Sequence, residues 1–455
     1  MNMKTTISFL LLFFVASSFA QEYGMGMLLD EELYKDRPMS APLKRGDYVN
    51  LPKSASLKLY TPTPGSQGVY GTCAAWSSAY AGRTILEAMK YNWTKTQIDS
   101  NRFSPSFVYN QVRKQKGCMG GISLNDALDV LRNQGGVMLK DFAYDCGKEV
   151  TPEDLQNASP NRIIEYRDIA NKRQGNQTAF VKKSLSENKP VIIAMDCPGS
   201  FTSAGELWKP KQTDYKIWNE GHGICVIGYD DEKFGGAFEV INSWGTDWGK
   251  GGYSWMKYSD FDFFCIYAFE MIDRALINPA EPDLSGSLLF KESSGDEMKA
   301  KFNGNYFEME KPYTSGTLFE LMISNNEPAY VYAFGSDLTF KTTKIFPFTD
   351  KMVAYLPYKK NNVAIPDEDS YNMLDTTTGT SYFCFLYSRD KLNIDDIMAK
   401  VETGQGTMWE RLNTILEGSR VDEAMINYAY ENGITFKAKS HGKSVVPVLV
   451  EIKHE

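Results

Sequence analysis

Histidine is what this chain has least of. Its 455 residues include three, His222, His441 and His454, so any imidazole chemistry in the first 440 positions rests on His222. Long blocks of one charge are also missing, and 49 Lys plus Arg stand against 57 Asp plus Glu for a net charge of -8. That balance leaves no electrostatic footprint for nucleic acid and no polybasic stretch for a membrane surface. With no CxxC pair and no Cys/His cluster, neither zinc nor any other metal or cofactor is called for. Internal repeats and low-complexity tracts are absent. The remainder is ordinary: 42% hydrophobic, 23% charged and 13% aromatic residues exclude disorder, collagen-like repeats and a small disulfide-stapled scaffold. At roughly 150 residues per domain, the length suggests about three domains.

Residues 1–20 read MNMKTTISFLLLFFVASSFA. Lys4 supplies a positive start, Ile7 to Val15 an apolar run, and Ser18-x-Ala20 a small-residue cleavage site, the pattern of a secretory signal peptide. The run is shorter than the ~20 residues that cross a bilayer, and no later stretch is long and apolar enough, so no transmembrane anchor is expected. The product is expected in the periplasm or outside the cell. Export permits disulfides, and the seven cysteines, an odd number, leave at least one thiol unpaired or paired between chains.

Residues 21–50 read as a short N-terminal extension without a long amphipathic helix. From 51 to 274 helical periods come first and strand-like runs later. Pro, Gly and Ser mark 275–295 as a linker, around Asn278-Pro-Ala-Glu-Pro-Asp-Leu-Ser-Gly-Ser. Residues 296–455 read as a mainly β, sandwich-like domain. Phe319-Glu-Leu-Met-Ile-Ser, Ala329-Tyr-Val-Tyr-Ala-Phe, Ile434-Thr-Phe-Lys-Ala-Lys and Val446-Pro-Val-Leu-Val-Glu-Ile alternate as half-buried strands do. Ser440-His441-Gly442-Lys443 reads as a hairpin turn joining the last two, and one amphipathic helix, about 407 to 417, interrupts the strands. Tyr330 and Tyr332 are core residues or a binding face for a protein or glycan partner.

Three helices of the first part bear on function. Ser104-Pro105 opens one that should run to Lys116. Ser123 caps another, with Leu124, Leu128 and Leu131 on one face and Gly135 at its end. The third begins at or just before Cys73 and runs toward Lys90. A thiol at a helix N-terminus sits at the positive end of the macrodipole, which favours thiolate, although buried structural cysteine is an equally ordinary use. Farther on, Gly221-His222-Gly223-Ile224-Cys225-Val226-Ile227-Gly228-Tyr229 reads as a buried strand and Gly236-Ala-Phe-Glu-Val-Ile-Asn242 as its return. Pairing Tyr229 with Gly236 puts Asn242 opposite Gly223, one step from His222. An amide there fixes the imidazole tautomer and leaves the other nitrogen for a thiol, while a core histidine satisfied by backbone remains the alternative.

Four segments resemble the papain-like cysteine peptidases. Gln67-Gly68-Val69-Tyr70-Gly71-Thr72-Cys73 matches that family's nucleophile motif at the same spacing. His222-Gly-Ile-Cys-Val-Ile-Gly-Tyr is similar to its histidine strand, and Asn242-Ser-Trp-Gly-Thr-Asp-Trp-Gly to its asparagine motif. Cys118-Met119-Gly120-Gly121 resembles the segment lining its substrate cleft. The resemblance covers 51 to 274 and implies an α+β, two-lobed fold, a helical lobe plus a β-barrel-like lobe. It further implies that Cys73 attacks the scissile carbonyl, that His222 serves as base and then acid, and that Asn242 orients His222 under the shield of Trp244. Gln67 and the Cys73 backbone N–H would hold the oxyanion, one such donor being worth about 3 kcal/mol. Gly120 and Gly121 would lie along a peptide or protein substrate, with Gly121 bonding the backbone of the residue two before the cleaved bond. Ile122 and Ser123 would border that residue's pocket, and Gly221 would shape the cleft.

The resemblance has gaps. Ala74 stands where the family carries tryptophan, and Trp76 comes two later. Tyr70 replaces the family's cysteine partner of Cys118, so Cys118 is left to pair elsewhere, with Cys146 a candidate and the connectivity open. The extension is too short for the family's helical propeptide, so no cleft-blocking helical prodomain is expected. Tyr330-Val-Tyr-Ala-Phe, Phe346-Pro-Phe, Ala364-Ile-Pro and Phe385-Leu-Tyr-Ser resemble a domain of unknown function appended to bacterial peptidases and kinases, which suggests a bacterial source. The expectation is an exported thiol peptidase working through an acyl-enzyme. Its rival is a non-catalytic peptidase fold kept as a binding scaffold.

Overall fold

The computed structural model describes residues 23–455 except 173, 174, 176, 217, 275, 277, 279, 376 and 377. The leader read in residues 1–20 lies outside the described residues. Small side chains shape the first long helix, α1. It starts as α-helix over Cys73–Ala75, widens to a π-helical stretch over Trp76–Arg83 and ends as α-helix over Thr84–Lys90. Alanine, serine and glycine let it approach its neighbours: a Cβ at Gly82 would stand 2.6 Å from Met271 Sδ and 2.8 Å from Ile192 Cδ1. The π turn is a departure that hydrophobic periodicity does not reveal, and such turns concentrate at functional sites.

Helix α2, Pro105–Val112, is capped by Ser104, whose hydroxyl accepts from the Phe107 N–H. It stops short of Lys116. The backbone becomes extended at Arg113 and turns through Gly117 at φ 91°. That turn carries Cys118 to a disulfide with Cys146, at a Cα separation of 5.3 Å. Helix α3, Leu124–Asn133, has the Ser123 cap on Asp126 N–H. Gly135 closes it at φ 95°, where a side chain would meet the Ala158 carbonyl.

The helices lie against an antiparallel sheet of β1 (Ser54–Ser56), β2 (Glu165–Asn171), β3 (Val191–Cys197), β4 (Glu220–Asp230), β5 (Ala237–Ile241), β6 (Tyr253–Lys257) and β7 (Cys265–Ile272). Its order is β2-β7-β3-β4-β5-β6, with β1 added against β4. Among the described residues β2 and β6 do not pair, so the sheet is open where a barrel-like lobe is expected. Every residue of β2 and β3 is buried. Helix α4, Gln177–Ser186, packs on this sheet.

The rest of the chain supplies β8 (Leu284–Glu292), β9 (Ala300–Phe302), β10 (Phe307–Met309), β11 (Leu318–Asn325), β12 (Ala329–Ser336), β13 (Thr342–Phe346), β14 (Tyr355–Leu356), β15 (Asn361–Ile365), β16 (Asn372–Met373), β17 (Gly379–Ser388), β18 (Ile426–Tyr430), β19 (Ile434–Ala438) and β20 (Val445–His454). One sheet runs β13-β12-β17-β20-β10-β9, the other β15-β11-β8-β19-β18. They face each other as a sandwich: Tyr387 on β17 donates across to the Ser324 carbonyl on β11 at 3.0 Å. Strand β8 lies inside the stretch read as linker.

Period two sorts the side chains of the first sheet. Val331, Phe385, Tyr387, Val448 and Val450 enter the sandwich core. Tyr330, Tyr332, Cys384, Leu386 and Leu449 point the other way, into a second core closed by α5, Ile394–Thr403, and α6, Met408–Leu416. Two helices thus interrupt the strands, where one is expected. Tyr330 and Tyr332 are buried core residues. Strands β19 and β20 are not a hairpin: β19 pairs with β8 and β18, and β20 with β17 and β10. Alternation places residues on a face, and both strands serve one core from opposite sheets; it does not identify the neighbouring strand.

A buried polar network joins the two parts. Glu270 on β7 accepts from Arg167 Nε at 2.8 Å, from Ser184 Oγ on α4 at 2.5 Å, and from the hydroxyl of Tyr358, which belongs to the sandwich.

Candidate active site

Cys73 heads α1, and His222 lies on β4, the strand that crosses in front of it. Contact is close because Gly223 has no side chain: a Cβ there would stand 3.3 Å from Ala74 Cα and 3.0 Å from Ser77 Oγ. The Gly223 and Gly26 backbone N–H groups are close enough to the Cys73 sulfur to favour its thiolate. Cys73, His222 and Gln67 are all 0% exposed.

Asn242 reaches His222 by a route different from the expected hairpin register. Strand β4 has a bulge between Val226 and Gly228; Cys225 faces Ile241, and Tyr229 faces Phe238 instead of Gly236. The turn consumes Gly235 and Gly236, both at positive φ (80° and 98°), before β5 begins. Asn242 therefore follows the end of β5 and extends its side chain from the loop. Its Oδ1 lies 2.8 Å from His222 Nε2 and also accepts from the Ser243 backbone N–H at 2.8 Å. A backbone N–H can only donate, so the amide oxygen faces the ring and Nε2 carries the proton. Nδ1 is left with its lone pair and has no hydrogen-bond partner among the described residues. Trp244 stacks on the imidazole at 4.4 Å between centroids, and Phe201 packs edge-on against Trp244 at 5.7 Å, with its ring 6.4 Å from that of His222. Gln67 is held by Ser243, whose hydroxyl donates to its Oε1 at 2.5 Å, leaving Nε2 directed into the groove.

The groove is filled by the chain's own N-terminal extension. Gly24 gives its carbonyl to Gln67 Nε2 at 3.0 Å and to Trp244 Nε1 at 3.2 Å. Tyr23 stacks over Trp244 at 4.6 Å. The Met27 N–H donates to the Gly221 carbonyl at 3.0 Å, the Gly26 carbonyl accepts from Ile122 N–H at 3.1 Å, and Leu28 N–H donates to the Ile122 carbonyl at 3.2 Å. Glycine is needed at two of these positions: a Cβ at Gly24 would lie 2.1 Å from the Tyr70 carbonyl oxygen, and one at Gly26 2.4 Å from Gly71 Cα. The expectation concerned a helical prodomain; among the described residues an extended segment, bridged to the groove at Met27, lies across the cleft.

Cover changes the acid–base balance. Burial pushes the Cys73 thiol up to about 11, against the pull of the Gly223 and Gly26 N–H groups. Burial likewise lowers His222 to about 4, against the Asn242 hydrogen bond. Thiol and imidazole are thus both neutral under the strand. Once water enters, both shifts relax toward the range in which an imidazole can take a thiol proton.

The structure gathers Gln67, Cys73, His222, Asn242 and Trp244 at one end of the groove. Gly121, Ile122 and Gly221 border it and touch the extension. Ser123 acts as the helix cap of α3, and Gly120 gives its carbonyl to the Tyr109 hydroxyl, one step outside. Sequence reasoning missed Gly24, Gly26, Met27 and Tyr34. The alternation Gly24-Met25-Gly26-Met27 was the available signal, since glycines spaced by two suit a strand pressed against other backbone. Among the described residues no group of three or more His, Cys, Asp or Glu side chains is arranged to hold a metal, and no helix is long and apolar enough to cross a membrane.

Residues 63–268 match the model of the papain family cysteine protease. Vignain of Ricinus communis is 25% identical over 232 residues, 47% of this chain and 58% of that protein. Cathepsin K of Mus musculus is 27% identical over 200 residues, 43% of this chain and 56% of that protein. The chain thus spans a little over half the length of these two relatives. Among solved structures, xylellain, a cysteine protease from Xylella fastidiosa, aligns at 21% identity over 56% of this chain and 97% of that chain, with a TM-score of 0.46. The similarity to papain family cysteine proteases thus lies in residues 63–268, with further β-structure after them.

Proposed function

We propose that the chain is an exported cysteine peptidase, held latent by residues 23–29. Once the groove opens, His222 Nδ1 takes the Cys73 proton and the thiolate adds to a substrate carbonyl. Gln67 Nε2 and the Cys73 N–H hold the oxyanion. The C–N bond breaks as His222 returns the proton to the leaving amine; water then adds to the thioester and releases the acid, restoring the thiol. Asn242 keeps the Nε2 proton in place throughout, and Trp244 keeps water from that bond.

One observation carries this reading: residues 23–29 lie against the same groups a substrate would use. The Gly24 carbonyl accepts from Gln67 Nε2, and Gly26 to Leu28 bond Ile122 and Gly221. Met27 pairs with Ile122 in parallel. A substrate lays residues upstream of its scissile bond near Gly121, whereas the extension lays its downstream residues there. Its peptide bonds therefore run past Cys73 in the wrong direction for cleavage. Titration with an alkylating epoxide, before and after proteolytic removal of this segment, tests the reading. Stoichiometric labelling of Cys73 in the opened chain, lost in His222→Ala, is expected. A Cys73 that stays inert after opening means a binding scaffold instead.

A further inference from the structure

The N-terminal extension consists of two differently held pieces joined by the exposed acidic turn Asp30-Glu31-Glu32. Backbone hydrogen bonds to the groove dominate the first piece. The second begins at Tyr34, fully buried and stacked on Tyr267 at 4.1 Å between centroids. Its hydroxyl accepts from the Leu124 N–H at the head of α3 at 3.2 Å and donates to the Leu28 carbonyl at 2.8 Å. Its own carbonyl accepts from Arg37 Nη1 at 2.8 Å, and Arg37 pairs with the buried Asp168. The sandwich domain then takes over. Met39 exchanges backbone bonds with Lys351 and Val353 at 2.7 and 2.9 Å. Ala41 and Leu43 enter the sandwich core, and Asp47 receives the N–H and Nδ2 of Asn362 at 2.9 and 2.8 Å.

We propose that Tyr34 is a specificity-determining residue: it stays behind when residues 23–29 leave, and forms the wall of the pocket that Met27 now fills. The inference rests on the peptidase reading. Met27 spans that pocket from end to end. Its Sδ lies 3.6 Å from the Tyr34 hydroxyl, and its Cε occupies space that a Cβ on Gly223 would contest at 2.4 Å. Glycine at one end and a tyrosine at the other leave a slot as long as a methionine side chain. The substrates it fits are peptides with an unbranched, methionine-like side chain two residues before the cleaved bond, the residue whose backbone meets Gly121 and Ile122. The sandwich domain acquires a role in this scheme, because it clamps the residues that hold Tyr34 in place.

The experiment uses the full chain with a site-specific protease sequence placed in the Asp30–Glu32 turn, cut after purification. Peptides differing only at the second residue before the bond compare methionine, phenylalanine and valine. The cut wild type is expected to favour methionine over phenylalanine by about tenfold in kcat/KM, and Tyr34→Ala to erase most of that ratio. Tyr34→Leu, which keeps an apolar anchor, should widen the slot in the same sense if Tyr34→Ala fails to fold, and Tyr34→Phe should keep the ratio. Equal rates for the two peptides in the wild type, or an unchanged ratio in a folded Tyr34 variant, overturn the inference. So does a naturally matured chain whose first residue lies after Tyr34. A cut chain that cleaves nothing and resists labelling at Cys73 overturns the peptidase reading itself, which separates the two failures.

Discussion

Residues 23–29 and residues 34–48 are neighbours in the chain, yet they are bound by different physics. The first piece is held mostly through its main chain, by hydrogen bonds to Gly68, Gly221, Ile122 and the side chains of Gln67 and Trp244, with two close-packed glycines, Met27 inserted and Tyr23 stacked on Trp244. Each such bond exchanges for one with water, so its net worth is about 1 kcal/mol. The second piece commits side chains that have no good alternative: Tyr34 and Leu43 in apolar cores, and Arg37 on a carboxylate that burial raises to about 6. One piece can leave at modest cost, and the other is part of the fold.

The sharpest way to break this contrast is alkylation of Cys73. Opening the groove at the Asp30–Glu32 turn should raise the labelling rate on the order of a hundredfold, the scale general-base help supplies. Equal rates in cut and intact chain would mean that residues 23–29 do not control the thiol. Next in size is Arg37→Ala, which leaves Asp168 buried and unpaired. Thermal or denaturant unfolding should show a loss of about 3 kcal/mol, with labelling of the intact chain changed far less than by opening. Met27→Ala should do the opposite. Removing that buried side chain weakens the cover by about 2 kcal/mol, so intact-chain labelling rises tenfold or more while the unfolding midpoint moves little.

The most gradual effect is in pH. His222 is lowered from 6.5 to about 4 under the cover. The uncovered chain accepts a proton that the covered one refuses, so the hold is full above about pH 6.5. It weakens as pH falls toward 4, by roughly 1 kcal/mol per pH unit. Cys73, raised from 9.0 to about 11, sets the alkaline flank, where the hold is lost as pH climbs between those values. Release of the cut 23–29 segment, followed by mass, should be slowest between the two flanks, and the acid flank should vanish in His222→Gln.

Much of this was legible in advance because it is local. Ser104 and Ser123 cap helices through bonds spanning three residues, and Cys73 heads α1 because Gly71 and Thr72 precede a run of small helix formers. The order of the motif residues was equally readable. The hairpin register was not, since a bulge in β4 and two left-handed glycines in the turn shift it without disturbing the alternation. The assignment of β19 and β20 to one hairpin failed for a related reason: each strand's pattern names its buried face and is silent about the strand beside it. The alternation of glycine and methionine over Gly24 to Met27 hints at a strand but does not name its partners, which lie far along the chain at Gly68, Ile122 and Gly221.

The amino-acid sequence by itself determined the chemistry available here: one usable imidazole, a thiol at a helix head, an amide twenty positions after the histidine, and glycines where backbones must touch. Tertiary structure alone decided what that chemistry is doing, by laying the chain's own first residues across the groove and anchoring the next ones in a distant sandwich. The reason is physical. Side-chain identity and short-range spacing are properties of a segment, whereas burial, and with it the proton affinity of Cys73 and His222, depends on which remote segment excludes water from the site.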